Sequence, residues 1–251
     1  MEDIDLLLDL HKKADRQGPG GEAETRLAVT LSGLSDRKNL KIADIGCGTG
    51  ASTITLAKSL DADVTAVDFL QDFLKELEQH AKTEGVSRQI TTLEASMDAL
   101  TFGPSTLDAI WSEGAIYNIG FERGIQTWRP FLKPGGILAV SELTWLSDQR
   151  PSELEDYWSR EYPEVDTASA KMALLEANGY TPVGYFTLPE TCWLDNYYRP
   201  MQERFAGLLE KYDGASDARA LVEAEQAEIS LYERFSAFVS YGYYIARKLP
   251  D

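Results

Sequence analysis

Lys41-Ile-Ala-Asp-Ile-Gly-Cys-Gly-Thr-Gly50 sets a buried strand against a turn that few residue types can make. The run Ile42 to Ile45 is short and mostly apolar, as a strand covered on both faces is. Gly46, Gly48 and Gly50 then alternate through the turn, and the chain reads as helical from Ala51 to Leu60. Glycine tolerates the dihedrals of a tight turn and lacks the Cβ that would hold a ligand away from the backbone. The helix N-terminus that follows offers unpaired N–H groups to whatever lies in the loop. A second apolar strand, Val64-Thr-Ala-Val67, ends in Asp68. An acid at that strand end is placed to accept hydrogen bonds from both hydroxyls of a ribose. A strand, a glycine loop, a helix and an acid-terminated strand together imply a nucleoside-binding α/β fold.

Two ligands compete for such a loop. Gly46-x-Gly48-x-x-Ala51 satisfies the permissive form of the dinucleotide fingerprint, so an NAD-dependent oxidoreductase is one reading. Asp44 argues the other way. It lies two residues before the first glycine, where a pyrophosphate would gain nothing from a negative charge and a ligand bearing an ammonium group would. With Gly50, the loop reads Asp-x-Gly-x-Gly-x-Gly, which resembles motif I of class I S-adenosylmethionine (SAM) methyltransferases.

The resemblance extends from about Gln17 to Pro189 and returns at the last strand. Asp68 followed by Phe69 is similar to motif II, which implies the acid on the ribose and the ring beside adenine. Glu94-Ala-Ser96-Met97-Asp98 resembles motif III, implying Met97 packed on adenine and Asp98 accepting from its exocyclic amine. Leu107-Asp-Ala-Ile-Trp-Ser-Glu113-Gly114 resembles motif IV, and Phe131-Leu-Lys-Pro-Gly-Gly-Ile-Leu-Ala-Val140 resembles the family's turn and fifth strand. Gln17-Gly18-Pro19-Gly20 is similar to a segment that, in many small-molecule members, reaches back over the methionine end of the cofactor. A helix cap accounts for the same residues. The cofactor that the resemblance implies is SAM, leaving as S-adenosylhomocysteine. A SAM-binding protein without catalysis would share all these features.

Composition narrows the partners. Lys and Arg number 24 against 41 Asp and Glu, for a net charge of −17. Nucleic-acid binding draws on phosphate neutralisation by cations, so this balance argues against it. No apolar run approaches the ~20 residues of a membrane span. The start, Met1-Glu-Asp-Ile-Asp, is too acidic for a secretory or transit signal. Two cysteines, Cys47 and Cys192, make neither a disulfide framework nor a zinc site, and point to the cytoplasm.

The pattern along the chain predicts a single domain over 1–251, of class α/β. It is a doubly wound, mostly parallel seven-stranded sheet with an antiparallel last strand. A helical N-terminal segment (1–35) precedes a Rossmann-like core (36–189), a helical insertion (190–235) follows, and 236–251 hold the last strand. In the core, strands at 41–46, 63–68, 89–95, 107–112 and 136–142 alternate with helices at 51–60, 70–84 and 121–131, and a sixth strand covers 181–188. Ile4, Leu7, Leu8 and His11 form one face of a first short helix. The insertion departs from the short hairpin by which the resembled family joins strands six and seven. Both extra segments are expected to form a lid over the site. The competing expectation is a homodimer interface.

Methyl transfer from a sulfonium starts from an activated donor, so catalysis rests mainly on alignment and exclusion of water. No residue announces itself as a general base. His11 lies on the first helix, which could close over the site, but reads first as an ordinary amphipathic-helix residue; His80 reads as a surface one. Glu113, at the carboxyl edge after the fourth strand, is placed to hold either the methionine ammonium or the acceptor. Tyr117, Glu142, Trp145, Trp193 and Tyr197 are the candidates for an acceptor pocket. Ser112-Glu-Gly-Ala115 lacks the motif of exocyclic-amine methylases of bases, and Ser141-Glu142-Leu143 lacks the magnesium ligands of catechol-type enzymes. What the resemblance leaves is a metal-free transferase acting on oxygen or nitrogen of a small molecule.

Overall fold

Five strands follow one another in parallel, four of them largely buried and one, at the sheet's edge, half-exposed. In the computed structural model, which describes residues 3–250, they are β1 (Leu40–Ile45), β2 (Ala62–Asp68), β3 (Ile90–Glu94), β4 (Leu107–Glu113) and β5 (Leu132–Trp145). Met1 and Glu2, where the expected N-terminal segment begins, and Asp251 lie outside the described residues. The side chains along each strand divide by period two between two cores. Ile42, Trp111, Ile137 and Ala139 face one; Ala43, Ile45, Ile110, Leu138 and Val140 face the other.

The sheet closes with β7 (Tyr180–Thr187) and β8 (Val239–Lys248), in the order β3-β2-β1-β4-β5-β8-β7. β8 runs antiparallel to both neighbours, and its Tyr243 and Tyr244 face opposite cores. An eighth strand, β6 (Asp166–Thr167), was not expected; its two residues pair with Thr144 and Trp145 off the main path. The expected turn before the fifth strand is absorbed into β5 as a bulge, since Leu107 pairs with Leu132 but Ala109 with Ile137. The strand order reverses between β1 and β4, and open α/β sheets bind ligands beyond the carboxyl edge at that point.

Helices cover both faces: α2 (Glu22–Ser32), α3 (Ala51–Ser59), α4 (Gln71–Thr83), α5 (Phe121–Trp128), α6 (Ser152–Glu161) and α7 (Ala168–Ala177). The expected helix 121–131 ends at Trp128, because Pro130 forces a tight turn over Arg129–Phe131. The insertion holds α8 (Glu190–Trp193), a π turn over Leu194–Tyr198, α9 (Arg199–Lys211) and α10 (Ser216–Phe235). The first helix, α1 (Asp3–His11), packs on α9 and α10. Leu6 and Leu10, both buried, anchor it; of the face read from the sequence, His11 is buried and Leu7 exposed. That face has another use, described below. No helix among the described residues is long and apolar enough to cross a membrane.

Candidate active site

The glycine loop after β1 folds as a chain of left-handed turns: φ is +74° at Gly46, +54° at Gly48 and +91° at Gly50. Space is as decisive as dihedral. A Cβ on Gly46 would lie 2.3 Å from Ala115 Cβ, one on Gly48 2.1 Å from Gln17 Oε1, and one on Gly50 2.0 Å from Leu77 Cδ1. The neighbours that exclude a side chain are therefore protein atoms, not the ligand surface that the sequence suggested. The loop is packed from three sides and held as a fixed cradle.

Around it opens a cavity of about 470 Å³, walled by the ends of β1, β2, β3 and β4. Gln17, Gly18, Gly46, Gly48, Asp68, Phe69, Ser96, Met97, Asp98, Glu113 and Tyr117 all line it. Asp68 caps β2 and accepts from Gly48 N and Leu70 N, both at 2.9 Å, one on each carboxylate oxygen. Burial raises its pKa above the ordinary carboxylate range. A carboxylate has about four lone-pair sites, so each oxygen retains one for a ligand hydroxyl. Phe69 is 59% exposed, a large apolar ring that no protein neighbour covers. Ser96 donates to Asp98 Oδ1 at 2.6 Å and lowers that carboxyl's pKa.

Asp44 and Gly50 do not line the cavity. Asp44 is fully buried behind the loop, where its Oδ2 accepts from Ser52 Oγ at 2.7 Å and Thr53 Oγ1 at 2.6 Å. Burial pushes it up to about 7, against the two hydroxyls that favour its charge. It clamps the start of α3 to the end of β1, and its Oδ1 has no partner among the described residues.

Glu113 stands at the carboxyl edge but its carboxylate is already occupied. Oε2 meets Arg16 Nη1 at 2.9 Å; Oε1 accepts from Thr25 Oγ1 at 2.6 Å, Tyr243 OH at 2.9 Å and Trp111 Nε1 at 3.1 Å. It is a junction between β4, β8, α2 and the N-terminal segment. Arg16, which the sequence reading missed, lines the cavity beside it. Gln17 also binds protein: its Oε1 accepts from Thr49 N at 2.9 Å, and its Nε2 donates to Ala14 O and Thr49 Oγ1, both at 3.0 Å. The turn over 17–20 is thereby sewn to the glycine loop. His80, read as a surface residue, is half-buried and meets Thr49 O at 3.1 Å through Nδ1.

A second cavity of about 400 Å³ adjoins the first, sharing Gln17, Gly18, Phe69, Phe73, Gly114 and Tyr117 as its near wall. Here the predicted face of α1 appears: Leu7, Leu8 and His11 line the space. Trp193 and Tyr197 line it as expected. Trp193 is stacked on Tyr232 at 4.5 Å and donates to Ser240 Oγ at 3.0 Å, while Tyr197 is parallel to His11 at 6.2 Å. His11 is 9% exposed, and burial with the nearby Arg204 guanidinium pushes it down to about 4.

Glu142 and Trp145 line neither cavity. Glu142 is buried 3.6 Å from Lys171 Nζ and pushed up to about 7 by burial. Trp145 packs in the core under the Arg150 guanidinium, 4.5 Å from its ring centroid. Both sit on β5, one strand too far from the β1–β4 switch point. Trp158, Tyr162, Tyr241, Glu161, Glu225 and Glu228 also line the second cavity. Glu225 and Glu228 lie on a helix whose charges look like an ordinary solvated face.

Residues 42–136 match the family described as Methyltransferase domain. That stretch is a methyltransferase domain, and the chain around it has the fold of the class I SAM-dependent methyltransferases. Its cofactor is SAM. The methyltransferase is 26% identical over 245 residues to the 27-O-demethylrifamycin SV methyltransferase of Amycolatopsis mediterranei, covering 92% of this chain and 85% of that one. Its fold is similar to YjhP from E. coli (TM-score 0.82, 19% identity, 97% of this chain and 99% of that one). A SAM-dependent methyltransferase from Geobacter sulfurreducens, solved with S-adenosylhomocysteine, is also similar (TM-score 0.80, 17% identity, 97% and 98%). The oxidoreductase and non-catalytic readings are set aside.

Proposed function

We propose that this methyltransferase carries a methyl group to oxygen or nitrogen of a small molecule, with SAM in the larger cavity and the acceptor in the adjoining one. One observation carries the reading: two cavities of ligand size share a wall at the carboxyl edge of the sheet. The larger one fits the cofactor. Asp68 keeps lone pairs for ribose hydroxyls, Phe69 and Met97 offer faces to adenine, and Ser96 and Asp98 offer polar groups at its edge. The backbone of Gly46 and Gly48, with Gly18, Gln17 and Arg16, bounds the end for the methionine moiety. Asp44 and Gly50 act from behind, by fixing the loop. Glu113 acts through Arg16, whose guanidinium it holds toward the cavity.

The bound cofactor supplies an activated methyl group for in-line displacement. The chain's contribution is alignment and shielding. Tyr117, Phe69 and Phe73 form the boundary across which donor and acceptor would meet. His11 stays neutral near pH 7 and offers the acceptor side an uncharged hydrogen-bonding group. The N-terminal segment and insertion form a lid: Arg204 Nε donates to Leu10 O at 2.8 Å, Asn196 Nδ2 to Gly20 O at 2.7 Å, and Asp9 binds Lys211 and Tyr212. A cytoplasmic location and the absence of nucleic-acid partners remain our reading, from the two free cysteines and the acidic surface. The homodimer alternative draws no support from Trp193, which is buried within its own chain.

Titration calorimetry with SAM, S-adenosylhomocysteine and NAD tests the cofactor assignment, with SAM species bound and NAD not. Labelled-methyl transfer into a metabolite extract tests the acceptor class. Incorporation only into protein or nucleic acid would overturn it.

A further inference from the structure

The acceptor cavity has a charge character that nothing in the cofactor site requires. Its walls carry Trp158, Tyr162, Trp193, Tyr197 and Tyr241, together with the carboxylates of Glu161, Glu225 and Glu228. Among the described residues no lysine or arginine lines it. Glu228 is tied by Tyr198 OH at 2.8 Å and Tyr157 OH at 3.1 Å. Glu225, one helical turn earlier on α10, has no hydrogen bond or ion pair among the described residues. Burial and the like charge of Glu228 push it up to about 7. On α1, His11 is buried to 9% exposure with Nδ1 lacking any partner. An unpartnered imidazole nitrogen and an unpartnered carboxylate thus border one aromatic space.

We propose that the acceptor is an organic amine whose cationic nitrogen is anchored among Glu225, Glu228 and the surrounding aromatic rings. This rests on the second cavity being the acceptor site. An ammonium group is attracted to aromatic faces and to carboxylates at once, and it supplies the donors that Glu225 and His11 Nδ1 lack. An anionic acceptor would find no cationic partner in this lining and would face its acids instead. A neutral one would leave Glu225, half-buried and without a cation beside it, only solvent as a partner. The acids belong to the second cavity alone, not to the wall shared with the first. The anchored nitrogen is therefore at the far end, and the atom that receives the methyl group lies nearer the boundary. Glu225 and Glu228 are specificity residues in this arrangement.

Three probes of matched shape decide it: 2-phenylethylammonium, 2-phenylethanol and 3-phenylpropanoate. Each is titrated by ligand-observed NMR into the full chain, with and without saturating S-adenosylhomocysteine. The ammonium probe is expected to bind about tenfold more tightly than the alcohol, with the carboxylate weakest. Glu225→Gln should cost the ammonium probe about fivefold and leave the alcohol within about twofold. That selectivity separates the site from the general attraction of an acidic protein for cations. Equal affinity for ammonium and alcohol would overturn the proposal, as would an ammonium affinity unmoved by Glu225→Gln. Melting temperature and S-adenosylhomocysteine affinity of the variant verify its fold. Failure of S-adenosylhomocysteine to bind the unaltered chain would instead overturn the assignment of the first cavity. The probe titrations without it still test this one.

Discussion

Asp68 and Glu113 are both acids at the carboxyl ends of parallel strands, yet their surroundings assign them opposite work. Each Asp68 oxygen accepts one backbone N–H and keeps a free lone pair beside the cavity. Asp68→Ala should weaken S-adenosylhomocysteine binding at least about tenfold, since charge-assisted hydrogen bonds contribute roughly 1.5–3 kcal/mol each. Calorimetry would measure it, and an unchanged dissociation constant would refute the assignment. Glu113 already accepts from four protein donors, three of them on Oε1. Removing it leaves the Arg16 guanidinium buried without a counter-ion, so Glu113→Ala should cost about 3–5 kcal/mol of stability by urea unfolding, and Glu113→Gln less. Both acids were found from the strand pattern, because position along a strand is written in period-two burial. Their roles were not equally legible. Arg16 and Thr25, which engage Glu113, sit 97 and 88 residues away in sequence, and no local pattern announces them.

Among the elements, α1 and the α8–α10 insertion come from opposite ends of the chain and roof one cavity. Leu6 and Leu10 dock α1, leaving Leu7, Leu8 and His11 toward the space beneath. If the pair is a lid, hydrogen exchange over 3–11 and 190–235 should slow together when S-adenosylhomocysteine and an acceptor are bound. Exchange in β1 and β4 should hardly change. Slowing in one segment alone would break the idea of a joint lid. The alternation of core strands and helices was readable because buried strands and amphipathic helices have distinct periods. The two-residue β6 was not, because its pairing depends on where Thr144 and Trp145 fall in space. His11 was misjudged for a related reason. Its burial depends on Tyr197, supplied by an element almost two hundred residues later, and periodicity carries no information about such a partner.

For the molecule as a whole, three acids share an unusual state. Asp44, Glu142 and Glu225 are each pushed up to about 7, against ordinary values of 3.8, 4.5 and 4.5. Between roughly pH 4.5 and 7 the folded chain therefore binds more protons at these sites than the unfolded chain, so stability falls as pH rises through that window. His11, lowered to about 4 from 6.5, has the opposite sign and offsets one of the three. The net charge of −17 near neutrality adds self-repulsion in the same direction as the acids. Melting temperature should accordingly be higher near pH 5.5 than near pH 7.5. Glu225→Gln should reduce the difference. A flat or rising profile would contradict the buried, proton-holding state of these carboxyls.

The place of β8 has a consequence for how the chain comes into being. It is translated after every other strand, yet it lies between β5 and β7 and pairs with both. Until Val239–Lys248 leave the ribosome, two long apolar edges stay open with their hydrogen-bonding groups unmet. The nascent protein can assemble the cofactor cradle from β1 to β4 while the opposite half of the sheet waits. Its most aggregation-prone moment falls after β7 has been made, while the interior strand between β5 and β7 is still missing. A chaperone that shields strand edges would matter most in that interval.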